Sequence, residues 1–137
     1  MFPANETEAL GQVLADYFDG NLEDGHTWVI DEEEGKLLGV AYYAPVPMAD
    51  RVWNLYMIAV HPNLQGQGRG TMLMQYVENV LRENDQRLLL VETSGLPKYD
   101  RTRSFYAKCG YDEEARIRDF WAVGDEKIVF RKALNAG

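Results

Sequence analysis

Six residues in the middle of the chain constrain it more than any other stretch: Gln65-Gly66-Gln67-Gly68-Arg69-Gly70. They follow an apolar run, Val52 to Val60, that closes in His61-Pro62-Asn63-Leu64. After them comes a stretch with apolar residues at helical spacing, Met72, Leu73, Tyr76, Val77, Val80 and Leu81, ended by Arg82-Glu83-Asn84-Asp85. Alternate glycines therefore sit between a strand and a helix. A backbone of this kind turns tightly and aims successive N–H groups at one point, and the free amides and dipole of the following helix reinforce it. The product is a pocket for phosphate or pyrophosphate. Hydrogen bonds to a charged group contribute roughly 1.5 to 3 kcal/mol each, so a few anchor a cofactor. The plainer alternative is a loop that only reverses the chain.

Spacing separates the glycine loops that bind phosphates. A nucleotide-hydrolysing loop needs Lys and then Ser or Thr after its last glycine, whereas Gly70 is followed by Thr71-Met72. A dinucleotide fingerprint needs G-x-G-x-x-G, but counting from Gly66 or Gly68 the last position holds Thr71 or Leu73.

The rest of the chain divides into short elements without a linker, repeat or low-complexity tract, so residues 1–137 are expected to form a single domain. Leu10, Val13, Leu14, Tyr17 and Phe18 predict an amphipathic helix over Glu6 to Asp19, with Asn5 or Thr7 as cap and Gly20 as stop. Thr27 to Ile30 and Leu37 to Tyr43 read as a hairpin around the polar turn Asp31 to Lys36, whose carboxylates lack the spacing of a calcium loop. Strands follow at Val52 to Val60, Arg87 to Glu92, Tyr111 to Ile117 and Lys127 to Lys132, and a second helix runs from Arg101 to Lys108 up to Gly110. The order α-β-β-β-α-β-α-β-β indicates an α/β domain with a mixed sheet.

Three blocks of this sequence carry a resemblance. Gln65-x-x-Gly68-x-Gly70 after a strand ending Val60-His61-Pro62, the strand Leu55-Tyr56-Met57-Ile58-Ala59-Val60 itself, and Ser104-Phe105-Tyr106-Ala107-Lys108-Cys109-Gly110-Tyr111 resemble, in order, blocks of the GNAT superfamily of acyl-CoA-dependent N-acetyltransferases. The likeness covers about Thr27 to Lys132. It implies an α+β fold: a mixed, mostly antiparallel central sheet, flanked by helices, whose middle strands splay apart. The family normally begins with a strand and a helix ahead of the element at Glu6 to Asp19, for which this chain has no room. Either the sheet lacks an edge strand or a partner chain covers the gap, which makes a homodimer an expectation. At Asn54 related sequences commonly offer a carboxylate, and near Tyr99 many have asparagine.

The resemblance also implies roles. Acetyl-CoA is the expected cosubstrate, its pantetheine arm pairing with the backbone of Ile58, Ala59 and Val60 and its pyrophosphate held by Gln65, Gly66, Gln67, Gly68, Arg69, Gly70 and Thr71. An amine would attack the thioester directly, with a backbone N–H near Ala59 or Val60 as oxyanion donor. Tyr106 falls where the family places its general acid; its other reading is a packed helix aromatic. Glu92, at the end of the apolar run Leu88 to Val91, is the candidate base. A fixed water is an alternative, and so is a carboxylate that only bonds the turn Thr93-Ser94-Gly95. Deprotonating a lysine of pKa ~10.4 at neutral pH costs about 4.6 kcal/mol, against about 1 to 1.4 for an α-amine, so weak basic machinery favours a low-pKa amine.

Asp119 to Glu126 loosely resembles a segment of protein N-terminal acetyltransferases. It is read either as a substrate gate, with Trp121 as wall and Asp119 or Asp125 attracting the amine, or as an ordinary hairpin loop. The expected function is N-acetyl transfer to a primary amine of a small molecule or a protein N-terminus; a non-catalytic acyl-CoA sensor is the alternative. The single cysteine, Cys109, reads as a small buried residue before Gly110, without an adjacent histidine to make it an acyl carrier. His61 reads as a turn residue before Pro62.

Composition removes other classes. One cysteine and two distant histidines make neither a disulfide framework nor a Cys/His metal site, and no metal is expected. A net charge of −8, from 14 basic and 22 acidic residues, leaves no general basic surface for nucleic acid. No apolar run approaches the ~18 residues of a membrane span and the start lacks the parts of a signal peptide, so a cytoplasmic protein without membrane partners is expected.

Overall fold

The computed structural model describes residues 25–135. The helix expected over Glu6 to Asp19, and the strand and helix expected to be missing before it, lie outside the described residues. Six strands form one sheet: β1 (Thr27–Glu33), β2 (Lys36–Pro45), β3 (Val52–Val60), β4 (Leu88–Ser94), β5 (Asp112–Ala122) and β6 (Asp125–Ala133). Their order is β1-β2-β3-β4-β6-β5. Every neighbouring pair is antiparallel except β3 with β4, which run parallel. Parallel neighbours need a crossover, and helix α1 (Arg69–Glu83) supplies it; helix α2 (Asp100–Lys108) links β4 to β5.

Each element has a local cause. Glu34 and Gly35 both have left-handed φ, 53° and 79°, the two-residue turn that matches the twist of a hairpin. Helix α1 buries Leu73, Met74, Val77, Glu78 and Leu81, residues at i, i+3 and i+4 spacing. The apolar face read from sequence is thus rotated: Met72 and Tyr76 are more than half exposed, while Met74 and Glu78 turn inward. Asn84 ends the helix, its side chain donating to Val80 O at 2.7 Å, and Asp85 follows with φ 57°. Gly110, φ 92°, closes off α2.

Both helices lie on one face of the sheet. Leu73, Met74, Val77 and Leu81 of α1 and Tyr106 of α2 share one core with Ala41, Leu55, Ile58, Val91, Ile128 and Phe130. Burying each large side chain there contributes about 1.5 to 3 kcal/mol. The opposite face carries Trp28, Val40, Met57 and Ala59 as a second, smaller cluster. None of the described helices is long and apolar enough to cross a membrane.

Two irregularities matter. Tyr43 pairs with Leu55 but Tyr42 pairs with Met57, so Tyr56 is an extra residue in β3, a bulge that reverses the inward and outward phase of the rest of the strand. Pairing of β3 with β4 runs from Val52–Leu88 to Leu55–Val91 and stops there. From that point Tyr56 to Val60 and Glu92 to Ser94 diverge, so the middle strands splay. The second irregularity corrects a sequence expectation: Asp119 to Ala122 belongs to strand β5, not to a loop, and the register breaks between Ile117–Lys127 and Ala122–Asp125. Residues 118–121 lie opposite Glu126 alone there, and among them Asp119 takes a left-handed φ of 56°.

Candidate active site

The glycine loop lies at the wide end of the splay. Gly68 is the N-cap of α1 with φ 83°, and Gly66 has φ 81°. A Cβ at either would meet nothing within 4 Å, so both the conformation and open space meet at these positions. No side chain caps the helix and no acidic residue stands in its first turn, which leaves the amides at its start to an anion. The neighbours hold the loop. Gln65 Nε2 donates to Val60 O at 3.3 Å and Gln67 Nε2 to Asn63 O at 3.4 Å. Arg69 turns its guanidinium to Asp31, at 2.9 Å, and to Glu33, so this residue offers the loop its main chain rather than its charge. His61 accepts from Asn63 N at 3.2 Å, in keeping with a turn residue.

His61 N donates to Leu38 O at 2.7 Å, which fixes the alternation along β3. Ala59 then pairs its main chain with β2, while Ile58 and Val60 direct theirs into the splay. Gln65 on the Val60 carbonyl marks the same side. Of the two amides expected near the oxyanion, that of Val60 faces the gap and that of Ala59 faces Val40.

A cleft of about 630 Å³ joins Ile58, Gln65 and Gly66 to Phe105 and Tyr106 of α2. Lys98, Arg101 and Lys108 line it as well, cations suited to the phosphates of a nucleotide-like carrier. Sequence reasoning missed these three, although they lie at i, i+3 and i+10 around α2. Tyr106 is 6% exposed and packs its ring against Phe105, Tyr111 and Phe130. Burial, with Cys109 adding to it, pushes its hydroxyl well above the usual tyrosine value. Burial likewise pushes the Cys109 thiol up, reinforced by Glu78 and opposed by Lys132 and a hydrogen bond from Thr71. A thiol held protonated in this way is a poor acyl carrier.

Glu92 lies across the sheet from Tyr106. Val91 belongs to the helix-side core, so the next residue on the strand points to the other face. There Lys127 Nζ stands 2.6 Å from Glu92 Oε1, and Asn54 Nδ2 donates to Oε2 at 3.1 Å. Asn54 is 4% exposed and its Oδ1 has no hydrogen-bond partner among the described residues. The Lys127 ammonium also lies 4.3 Å from the centre of the Phe120 ring, which meets Trp121 edge-on. Trp121 is 48% exposed, with its Nε1 donating to Thr93 O at 3.3 Å. Asp119 and Asp125 serve the local frame: Asp119 Oδ1 accepts from Gly124 N at 2.7 Å, and Asp125 bonds the hydroxyl of Ser94. Arg103 Nη1 donates to Ser94 O at 2.6 Å and to Leu96 O at 3.0 Å, fixing the end of β4. No cluster among the described residues has the donors to hold a metal ion.

A glycine cradle at a helix start, strands that part beside it, and a tyrosine in the connecting cleft can seat an acyl carrier. A family model described as Acetyltransferase (GNAT) family matches residues 2–111. The chain belongs to this GNAT acetyltransferase family. Among solved structures, a candidate GNAT acetyltransferase from Desulfovibrio desulfuricans is 32% identical, with TM-score 0.86, over 98% of this chain and 85% of that one. The ribosomal-protein-S18-alanine N-acetyltransferase of Escherichia coli shares the fold at 19% identity and TM-score 0.75, over 89% and 77%. So does an aminoglycoside 6′-N-acetyltransferase complexed with coenzyme A, at 16% identity and TM-score 0.76, over 96% and 85%. Among curated protein sequences none matches. As a GNAT acetyltransferase, this protein binds an acyl-CoA.

Proposed function

We propose that the protein transfers an acetyl group from acetyl-CoA to a primary amine, of a small molecule or a protein N-terminus, by direct attack in one ternary complex. The observation that carries this reading is the opening beyond Leu55 and Val91, which has the glycine loop at its wide end and Tyr106 and Glu92 on its two faces. The main chain of Ile58 and the amide of Val60 point into the gap toward the pantetheine arm, and residues 65–71 hold the pyrophosphate. Acetyl-CoA supplies an activated carbonyl.

On the opposite face Glu92, directly or through a water, takes the proton that the amine nitrogen loses as its bond to the carbonyl carbon forms. The Val60 amide donates to the carbonyl oxygen as it becomes negative. When the carbon–sulfur bond breaks, the thiolate leaves on the Tyr106 side. A tyrosine raised above its ordinary ~10 keeps its proton at neutral pH, and full transfer to a thiolate of pKa ~8.5 is uphill. Tyr106 therefore acts first as a hydrogen-bond donor to the developing thiolate. Trp121 forms a wall for the acceptor.

The test is release of free CoA from acetyl-CoA across a panel of amines and short peptides, alongside calorimetric titration with CoA. Turnover with an acceptor is the expected result. Tight CoA binding with no turnover on any amine would turn the assignment to a sensor, and absent CoA binding would overturn the reading of the loop.

A further inference from the structure

The Glu92 carboxylate engages both its oxygens on the acceptor side of the sheet, and the occupant of the first is a residue of this chain. Lys127 Nζ lies 2.6 Å from Oε1, and the same ammonium stands 4.3 Å from the centre of the Phe120 ring. A carboxylate and a ring face together are the usual components of an alkylammonium site. Here the site is filled from within. The Lys127 side chain is 16% exposed and that of Glu92 26%, so solvent screens the pair weakly.

The charge balance has a consequence for what enters. Glu92 and Lys127 cancel, so a second cation arriving at Glu92 finds no net attraction and meets the Lys127 ammonium at close range. A neutral amine meets no such repulsion. Its N–H groups find an acceptor in a remaining lone pair of Glu92. At pH 7 about one α-amine in ten is unprotonated, against about one lysine ε-amine in 2,500.

We propose that Lys127 sets the acceptor class: by neutralising Glu92 it turns away ammonium ions and admits amines with a larger unprotonated fraction near neutral pH, α-amines and arylamines ahead of lysine side chains. The inference rests on the reading of Glu92 as the acceptor-side base. Lys127 acts through Glu92 and on the incoming charge, as a specificity residue.

The experiment compares kcat/KM at saturating acetyl-CoA for two acceptor pairs. The first pair is a lysine-free peptide with a free N-terminus against an N-terminally blocked peptide with one lysine; the second is aniline against butylamine. The wild type, Lys127→Met and Lys127→Arg are assayed with each. The expected result is that Lys127→Met narrows the preference for the less basic member by roughly tenfold, through a lower KM for the more basic one, while Lys127→Arg keeps the wild-type ratio. An unchanged ratio in Lys127→Met, or an equal fall for both members, overturns the proposal and leaves Lys127 as a support for Glu92. Glu92→Gln, measured beside them, separates the two readings. Full turnover by Glu92→Gln overturns the assignment of Glu92 itself; lost turnover in Glu92→Gln with an unaltered ratio in Lys127→Met overturns only the part given to Lys127. Turnover of no member of either pair overturns both.

Discussion

Glu92 and Tyr106 stand on opposite faces of one sheet, at the point where β3 and β4 cease to pair after Leu55 and Val91. The strand gap joins the two faces. A carrier can lie on the helix side and an acceptor on the other, with the reacting carbon between them and neither ligand obliged to pass the other.

Tyr106→Phe removes the hydroxyl and keeps the ring that packs on Phe130. CoA affinity should stay within about twofold while kcat falls by roughly 10²-fold. Titration calorimetry and steady-state kinetics on the same preparation check this, and an unchanged kcat would return Tyr106 to a packing role.

Gly68→Ala and Gly35→Ala place a methyl group at nearly the same φ, 83° and 79°, in open space in both cases. Each should lose about 1 to 2 kcal/mol of stability from left-handed backbone strain. Only Gly68→Ala should also weaken CoA binding, by tenfold or more, because its Cβ stands where the phosphates are placed. Urea unfolding and CoA titration of the two variants separate strain from site.

Glu78 is 3% exposed and accepts from Tyr111 at 2.7 Å and from Lys132 at 3.0 Å. Glu78→Ala leaves the Lys132 ammonium only the Cys109 carbonyl and the Tyr111 ring, and should cost about 1.5 to 3 kcal/mol. The double variant Glu78→Ala with Lys132→Met should recover part of that loss, as read from urea midpoints.

Burial pushes the hydroxyls of Tyr106 and Tyr111 above the ordinary tyrosine value, and Glu78 adds to the effect on Tyr111. The native state then keeps protons that the unfolded chain releases above pH ~10. Stability from this source is intact below pH ~10 and falls as pH rises further, by about 1.4 kcal/mol per unit for each tyrosine. Tyr111→Phe should be less stable at neutral pH, because Glu78 loses a donor, but should lose stability less steeply between about pH 10 and pH 11. Denaturant midpoints across that range give both slopes.

Much of this architecture is legible in the sequence, and the exceptions have physical causes. The helix after Gly68 and the strand before His61 follow from apolar periodicity and turn chemistry, which are local. The bulge at Tyr56 is not visible in Val52 to Val60, because nearly every residue there is apolar and one more leaves no mark; only pairing with β2 counts it. Glu78 was readable, since it lies four residues from Met74 and three from Leu81 on the buried stripe, though its partners stand 33 and 54 positions away. The Asp119 to Ala122 segment looks like a loop by composition and is tied into strand by the pairing of Ala122 with Asp125 on β6 and by the Asp119 bond to Gly124. Glu92 is proposed from its place at a strand end, whereas Lys127 and Asn54 meet it only through a sheet that joins β3, β4 and β6.

The supernumerary Tyr56 makes the working of β3 a matter of parity. Upstream of it Leu55 faces the helices; downstream Ile58 and Val60 do so, an odd step that an even-period strand reaches only by carrying one residue too many. A strand of the same length without the bulge would turn Met57 and Ala59 toward the helices and swing the amides of Ile58 and Val60 back onto β2. Side chains along this stretch can be exchanged for others of similar bulk, provided that the residue surplus to the pairing with β2 is not forced into it.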